Sequence, residues 1–422
     1  MGSILNFVSL DNSFNNHSFF PNTDDVLKEN LVSRTIKFKK DDFGLDGPFK
    51  NFSYTLDGQL SNENNLIYFE YESLLDFYKN NFSTLKKILD YTSIYDEYFK
   101  NKKLKILFSC FFEASDISFE NFKNDIIEVL TQYDRKFTDL IFVDCNFNYI
   151  EKYSNYFYFD LFKKLIPNLN EKNIKENDLG YISEFPNTNE IDNYLDKKYH
   201  FLCFNNSPRI QRIYLLFYLK TKKLLDKFNF SFLQNIPNSI IFPEKNFLNL
   251  STEKINELNK IIPLEIDTDV KKRGFDFYPV DTYDKNIYYN SYFHICTETC
   301  FLEKNITYFT EKIHKPLIGL QPFIVISTPF YLENLKKMGF KTFDKIFDES
   351  YDKIIDNEKR LIKIFDLIDE VCTWDLETCK KKYKSVLDIC IYNHNHIKNL
   401  HINFPFLEVN LFQDINEKFK NI

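Results

Sequence analysis

From residue 64 onward, short apolar runs alternate with longer stretches whose apolar residues recur at helical spacing. Leu66-Ile67-Tyr68-Phe69, Leu104-Lys105-Ile106-Leu107-Phe108 and Leu140-Ile141-Phe142-Val143 are continuous enough to read as buried strands. Between them, Ser73 to Tyr95 reads as helical, and Phe119 to Tyr133 carries Phe122, Ile126, Ile127 and Leu130 at helical spacing. Strand, helix, strand at these intervals predicts a parallel sheet with helices on its faces. The first sixty or so residues are polar, with turn signals at Gly44, Gly47-Pro48 and Gly58, and predict short strands and loops.

A polar stretch from Asp178 to Lys198, with Pro186 and several Asn, predicts a linker. The alternation then resumes. Phe201 to Phe204 is a strand, Arg212 to Asp226 a helix, Ser291 to Glu298 a strand, Thr310 to Leu320 a helix and Phe323 to Ile326 a strand. Tyr331 to Met338 is a short helix closed by Gly339, a good C-terminal stop. Glu358 to Cys372 is a helix with Leu361, Ile364, Phe365 and Ile368 on one face. The fold class expected is α/β, with two Rossmann-like domains facing across a cleft. The expected division is 1–190 and 191–400. Residues 401–422, with Phe404, Phe406, Leu407, Val409, Leu411, Phe412 and Ile415, are too apolar for a tail and should pack.

Composition narrows the classes. A chain of 422 residues exceeds one ordinary core and favours two domains. The 47 Phe and 27 Tyr, alongside many Asn, Lys and Ile, read as the coding bias of an AT-rich genome combined with core packing. A net charge of −7 supplies no global phosphate-neutralising surface of the kind that non-specific nucleic-acid binding needs. No long uncharged apolar run predicts a membrane span, and no basic region followed by an apolar stretch opens the chain as a secretory signal does. A cytoplasmic protein is expected (host cytoplasm if the source is viral). The eight cysteines are scattered and predict buried, reduced thiols, including the closest pair, Cys296 and Cys300. His394 and His396 lie on an Asn-rich polar stretch and read as solvated. No metal site is expected.

Neither GxGxxG nor GxxxxGK[ST] can be written on this sequence. A nucleotide would have to be held another way, and Thr310-Glu311-Lys312-Ile313-His314-Lys315-Pro316 offers one. Thr310 is a good N-cap. Glu311, Lys312 and Lys315 fall within one arc of a helix, with Ile313 and Leu317 on the other side. Pro316 predicts a helix that kinks or stops soon after. Two cations near a helix N-terminus oppose the macrodipole, which suits a helix that receives an anion. The competing reading is an exposed Glu311–Lys315 pair at i,i+4 spacing. A second cluster, Asn205-Asn206-Ser207-Pro208-Arg209-Ile210-Gln211-Arg212, follows a strand and opens a helix, at the sheet edge where ligands bind. Arg209 and Arg212 could clamp a diphosphate, or they could be ordinary solvent-facing arginines.

These residues carry a resemblance. Ser291 to Asp352 is similar to the donor-nucleotide half of GT-B-fold glycosyltransferases, and Thr310-Glu311-Lys312 resembles the corresponding motif of α1,3-fucosyltransferases. The longer pattern also resembles a glycosyltransferase-like family of phages, giant viruses and bacteria. It runs through Thr297-Glu298-Thr299, the Thr310 to Pro316 helix, Gln321-Pro322-Phe323-Ile324, Gly339 to Phe343, and Asp348 to Asp352. Phe201 to Arg212 resembles that family's Asn-Arg-x-Pro-Arg-x-His-Arg element. The matching pieces cover about a third of the chain. Asn206 departs from the family's Arg, Gln211 from its His, and His314 from the aromatic before the second Lys.

The resemblance implies Glu311 on a ribose and Lys312 on the phosphates, with Arg209 and Arg212 assisting. Asn205, Glu298, Thr310 and Lys315 complete the expected nucleotide-sugar site. It also implies that the C-terminal segment packs back toward the first domain. An inverting transferase needs a carboxylate or a His, usually from the acceptor side, to take the hydroxyl proton. Glu113 is the candidate, with Glu70, Glu72, Asp116 and Asp144 as rivals. Asp348-Glu349-Ser350-Tyr351-Asp352 reads as a cap ordering the stretch before the helix from Glu358, not a metal site.

The expected activity is metal-independent transfer of a sugar from a nucleotide-diphosphate sugar, a co-substrate, with no resident cofactor. The acceptor is a hydroxyl on a glycan. The alternatives are a transferase acting on a hydroxylated base of viral DNA, and a non-catalytic nucleotide-sugar-binding protein, which Gln211 keeps in play.

Overall fold

A computed structural model of the chain describes residues 5–8, 52–55, 60, 64–70, 82–110, 119–149, 153–158, 195–240, 242, 246, 248–266, 285–402, 407–419 and 421–422. The chain divides into two compact units. One comprises Met1–Leu161 with Phe404–Ile422, the other Phe162–Asn403.

The first unit is built on a sheet of six parallel strands: β1 (Leu5–Val8), β2 (Phe52–Thr55), β3 (Asn64–Glu70), β4 (Leu104–Cys110), β5 (Leu140–Asp144) and β6 (Tyr156–Tyr158), in the order β2-β1-β3-β4-β5-β6. Every residue of β5 is buried, the continuous burial of a sheet covered on both faces. Helices α1 (Ser83–Thr92), α2 (Asp96–Lys100) and α3 (Phe119–Thr131) belong to this unit. Within the helical stretch expected from Ser73 to Tyr95, α1 covers Ser83–Thr92, preceded by Phe82 in the left-handed region at φ 54°; residues 73–81 lie outside the described residues. Phe122 meets Phe142 edge-on at 5.6 Å and Phe108 stacks on Phe142 at 6.0 Å, so part of the phenylalanine excess is core.

The second unit has a four-stranded sheet, again all parallel. Its strands are β7 (Tyr199–Cys203), β8 (Phe228–Phe230), β9 (Ser291–Thr297) and β10 (Phe323–Ile326), in the order β10-β9-β7-β8. Its helices are α4 (Ile210–Lys222), α5 (Thr252–Asn259), α6 (Lys285–Tyr289), α7 (Glu311–Ile318), α8 (Tyr331–Lys337), α9 (Asn357–Thr373), α10 (Leu376–Lys384) and α11 (Leu387–Ile402). The two units together show the expected α/β class with two parallel sheets.

Several expectations need correcting. Helix α4 stops at Lys222 because Lys223 turns left-handed at φ 56°. The linker expected over 178–198 lies mostly outside the described residues, but its end is packed: Tyr292 Oη donates to the Leu195 carbonyl at 3.0 Å. His394 is buried on α11 with Nδ1 2.8 Å from the Ile318 carbonyl, and His396 Nε2 lies 2.9 Å from the Met338 carbonyl. His394 is withdrawn from solvent because α11 packs against α7, and His396 is half-buried against the end of α8. Gly339 adopts φ +90°, and a Cβ there would come 2.7 Å from His396 Nε2, so this helix stop must be glycine. As expected, the Asp348 to Asp352 segment orders the stretch before α9, Asp348 capping the 3-10 turn Glu349–Lys353 through the Ser350 N–H at 3.0 Å, and it caps an earlier helix as well. Asp352 accepts from the Leu332 and Glu333 N–H groups at the start of α8, while Asp356 caps α9.

A last helix, α12 (Leu407–Lys418), belongs to the first unit. Its Asn416 accepts a 2.9 Å hydrogen bond from Asn64 at the head of β3. Among the described residues no helix is long and apolar enough to cross a membrane.

Candidate functional site

Three strand ends are tied together at the carboxyl edge of the second unit's sheet. Asn205, two residues past β7, is buried and fully used. Its Oδ1 accepts from Thr297 Oγ1 at the end of β9 (2.7 Å), and its Nδ2 donates to the Ser231 carbonyl just past β8 (3.2 Å). Such an edge is where open parallel sheets bind ligands.

Arg209 and Arg212 do not form a matched pair. Arg209 is exposed and is the N-cap of α4, with extended backbone at φ −125° and ψ 153°. Arg212 is buried, and its two terminal nitrogens donate to the Ser207 carbonyl (2.8 Å) and the Thr297 carbonyl (3.1 Å). The clamp expectation is therefore corrected to one outward arginine and one inward brace. Burial and the nearby Arg209 charge lower the pKa of Arg212, while Glu298 and Glu311 oppose that shift, which places the four ionic groups in one field. Gln211 is also turned inward, with Nε2 donating to the Glu298 carbonyl at 2.6 Å.

Glu298, the residue after β9, is fully buried. Its Oε2 accepts from Thr310 Oγ1 and its Oε1 from Tyr331 Oη, both at 2.6 Å. Tyr331 opens α8 and carried no sign in the sequence of belonging here. Thr310 in turn caps α7, its Oγ1 accepting from the Lys312 N–H at 3.3 Å. Glu298 and Thr310 are thus committed within the protein and set the pose of the α7 N-terminus.

The outer layer is Glu311, Lys312 and Lys315. Lys312 Nζ donates to Glu311 Oε1 at 2.8 Å and to Thr310 Oγ1 at 3.2 Å. This adjacent pair, not the i,i+4 pair with Lys315, is the ion pair seen for Glu311. Burial alone would raise the Glu311 pKa, but Lys312 and then Lys315 hold it below the ordinary value. Lys315 Nζ lies 6.0 Å from the ring centre of the half-buried Phe204. Beneath, Tyr288 stacks on the buried His294 at 5.9 Å, and desolvation pushes that imidazole down to about 3, so it stays neutral.

On the first unit, Glu113, Glu72 and Asp116 lie outside the described residues. Glu70 ends β3. Asp144 ends β5 but is buried; Oδ1 accepts from the Asn146 N–H at 3.2 Å and Oδ2 accepts no hydrogen bond. Burial raises it to about 6. Among the described residues no three His, Cys, Asp or Glu gather as a metal site would require.

No protein-family profile matches the chain, and no curated protein matches it in sequence. One solved structure, described as a crystal structure of α1,3-fucosyltransferase with GDP, aligns over 92% of this chain and 81% of its own. The TM-score is 0.36 and the identity 11%.

Proposed function

We propose that the second unit binds a nucleoside-diphosphate sugar and that the chain transfers the sugar to a hydroxyl acceptor, a glycan by first preference. The observation that carries this reading is the gathering of Arg209, Glu311, Lys312 and Lys315 at the carboxyl edge of a parallel sheet, over a buried frame of Asn205, Arg212, Glu298 and Thr310. In this reading the outer cations hold the diphosphate and Glu311 accepts from the ribose hydroxyls. The frame residues position these groups without touching the ligand. Lysine and arginine then neutralise the leaving diphosphate, in the role that a divalent ion plays elsewhere, and Glu113 on the first unit takes the acceptor proton. The proposed division of labour follows residues 1–190 for the acceptor and 191–400 for the donor.

The test is a thermal-shift screen of the full chain against UDP, GDP, CMP and dTDP sugars, followed by donor turnover with and without EDTA. Binding of at least one donor and turnover that survives EDTA are expected. No shift with any donor would sink the reading, and turnover restored only by manganese or magnesium would sink metal independence. Gln211 favours one second reading, a nucleotide-sugar-binding protein without turnover, because its side chain serves the Glu298 carbonyl and cannot shuttle a proton. Donor binding without hydrolysis or transfer would select it.

A further inference from the structure

Glu311 and Lys312 are the two groups proposed to face ribose and phosphate, and each occupies the other. Lys312 has three donors, of which one points to Glu311 Oε1 at 2.8 Å and one to Thr310 Oγ1 at 3.2 Å. The side chains are 23% (Lys312) and 12% (Glu311) exposed. That is open enough for a ligand to contest the contact and closed enough for an abandoned charge to be costly. Drawing one partner out of a largely buried ion pair leaves the other uncompensated. A phosphate oxygen that attracts Lys312 would therefore take from the Glu311 carboxylate its hydrogen-bonded cation, leaving it the weaker influence of Lys315 unless new donors reach it. Two vicinal hydroxyls are such donors. Free diphosphate brings no such vicinal pair.

We infer that the Glu311–Lys312 ion pair is a specificity latch, which yields its lysine to a diphosphate only when the same ligand brings hydroxyl donors for the carboxylate. This rests on the second unit being a nucleoside-diphosphate site, and it adds a reason why such a site would reject inorganic pyrophosphate. Ribose and phosphate recognition are coupled through one contact, and neither group is at full strength alone.

The experiment is calorimetric titration of the full chain with inorganic pyrophosphate, on the wild type, Glu311→Gln, Lys312→Met and the double variant. Gln keeps the size of Glu311 and removes its charge. Glu311→Gln should bind pyrophosphate about tenfold tighter than wild type, a coupling within the range measured for contacting charged pairs. The gain should vanish in the Lys312→Met background. An unchanged or weaker affinity in Glu311→Gln overturns the latch, as does no binding by that variant. A gain that persists without Lys312 also overturns it, because Glu311 would then be merely repelling anions. The nucleotide screen reads separately: the expected pyrophosphate pattern with no nucleotide binding would sink the donor reading alone, whereas nucleotide binding without the pattern would sink the latch alone.

Discussion

Lys312 is the second residue of α7, where a cation faces the positive end of the helix dipole. It also neutralises the largely buried Glu311, so its removal should cost the fold some stability despite the dipole. Bound to a diphosphate, the same ammonium would make a charge-assisted hydrogen bond worth about 1.5–3 kcal/mol. Lys312→Ala should thus weaken UDP or GDP binding by about tenfold or more, alongside a lowered melting temperature from the unpaired Glu311. Arg209→Ala should weaken binding alike but leave the melting temperature unchanged, since its side chain is exposed. Tight binding by both variants in calorimetry would show the phosphate site to be elsewhere. Asp144 allows a prediction of opposite character. Its carboxyl is raised from 3.8 to about 6, first by burial, against the smaller effect of the hydrogen bond from the Asn146 N–H. A raised acid binds more protons folded than unfolded between those values, so its contribution to stability falls as pH rises through that window. The shift corresponds to about 3 kcal/mol. Relative to Asp144→Asn, the wild type should lose stability between about pH 4 and 6 and stay level above. A flat difference across that range would remove the argument.

At the scale of elements, Arg360 on α9 decides how the strand-end loops are held. It is fully buried and donates to the Ser327 carbonyl after β10 (3.0 Å), the Phe301 carbonyl after β9 (2.7 Å) and the Ile354 carbonyl (2.8 Å). Arg360→Met should leave those three carbonyls without donors and cost about 3–9 kcal/mol, at about 1–3 kcal/mol for each buried group left unsatisfied. The urea midpoint measures it, and a loss below about 1 kcal/mol would mean the loops are held otherwise. Elements of this kind were only partly legible in the sequence. The strands β3, β4, β5, β9 and β10 announce themselves because strands buried on both faces are continuous apolar runs. Short β6 and β8 do not, nor do α10 and α11, whose polar content hides their packed faces. The charged rim was legible through Thr310 to Lys315. The inward turn of Arg212 was not, because i,i+3 spacing aligns two side chains only when both are helical. Arg209 is the N-cap and lies outside the helix. Tyr331 had no local signal at all; its bond to Glu298 spans 33 residues of chain.

For the whole molecule, the chain's end is structurally part of its beginning. The unit of Met1–Leu161 is completed by Phe404–Ile422, and in that segment Phe412, Ile415 and Phe419 are fully buried. Lys105 on β4 sets its ammonium 5.4 Å from the Phe419 ring centre while donating to the Thr138 carbonyl at 2.6 Å. Burial lowers its pKa to about 8 despite the nearby Asp139. Deleting residues 403–422 would uncover this lysine and the apolar surface beneath three large side chains. Each such side chain is worth about 1.5–3 kcal/mol in burial, and the sum is comparable to the whole stability of a typical domain, about 5–15 kcal/mol. The truncated chain should therefore lose the first unit selectively. Hydrogen exchange read by mass spectrometry should show β3, β4 and β5 unprotected while β7 and β9 keep their protection, since those two strands belong to the other unit. Full protection of β4 and β5 in the truncated chain would show that the first unit closes its core without α12. Lost protection throughout both sheets would instead show that the two units fold as one, and the division into an acceptor half and a donor half would lose its physical basis.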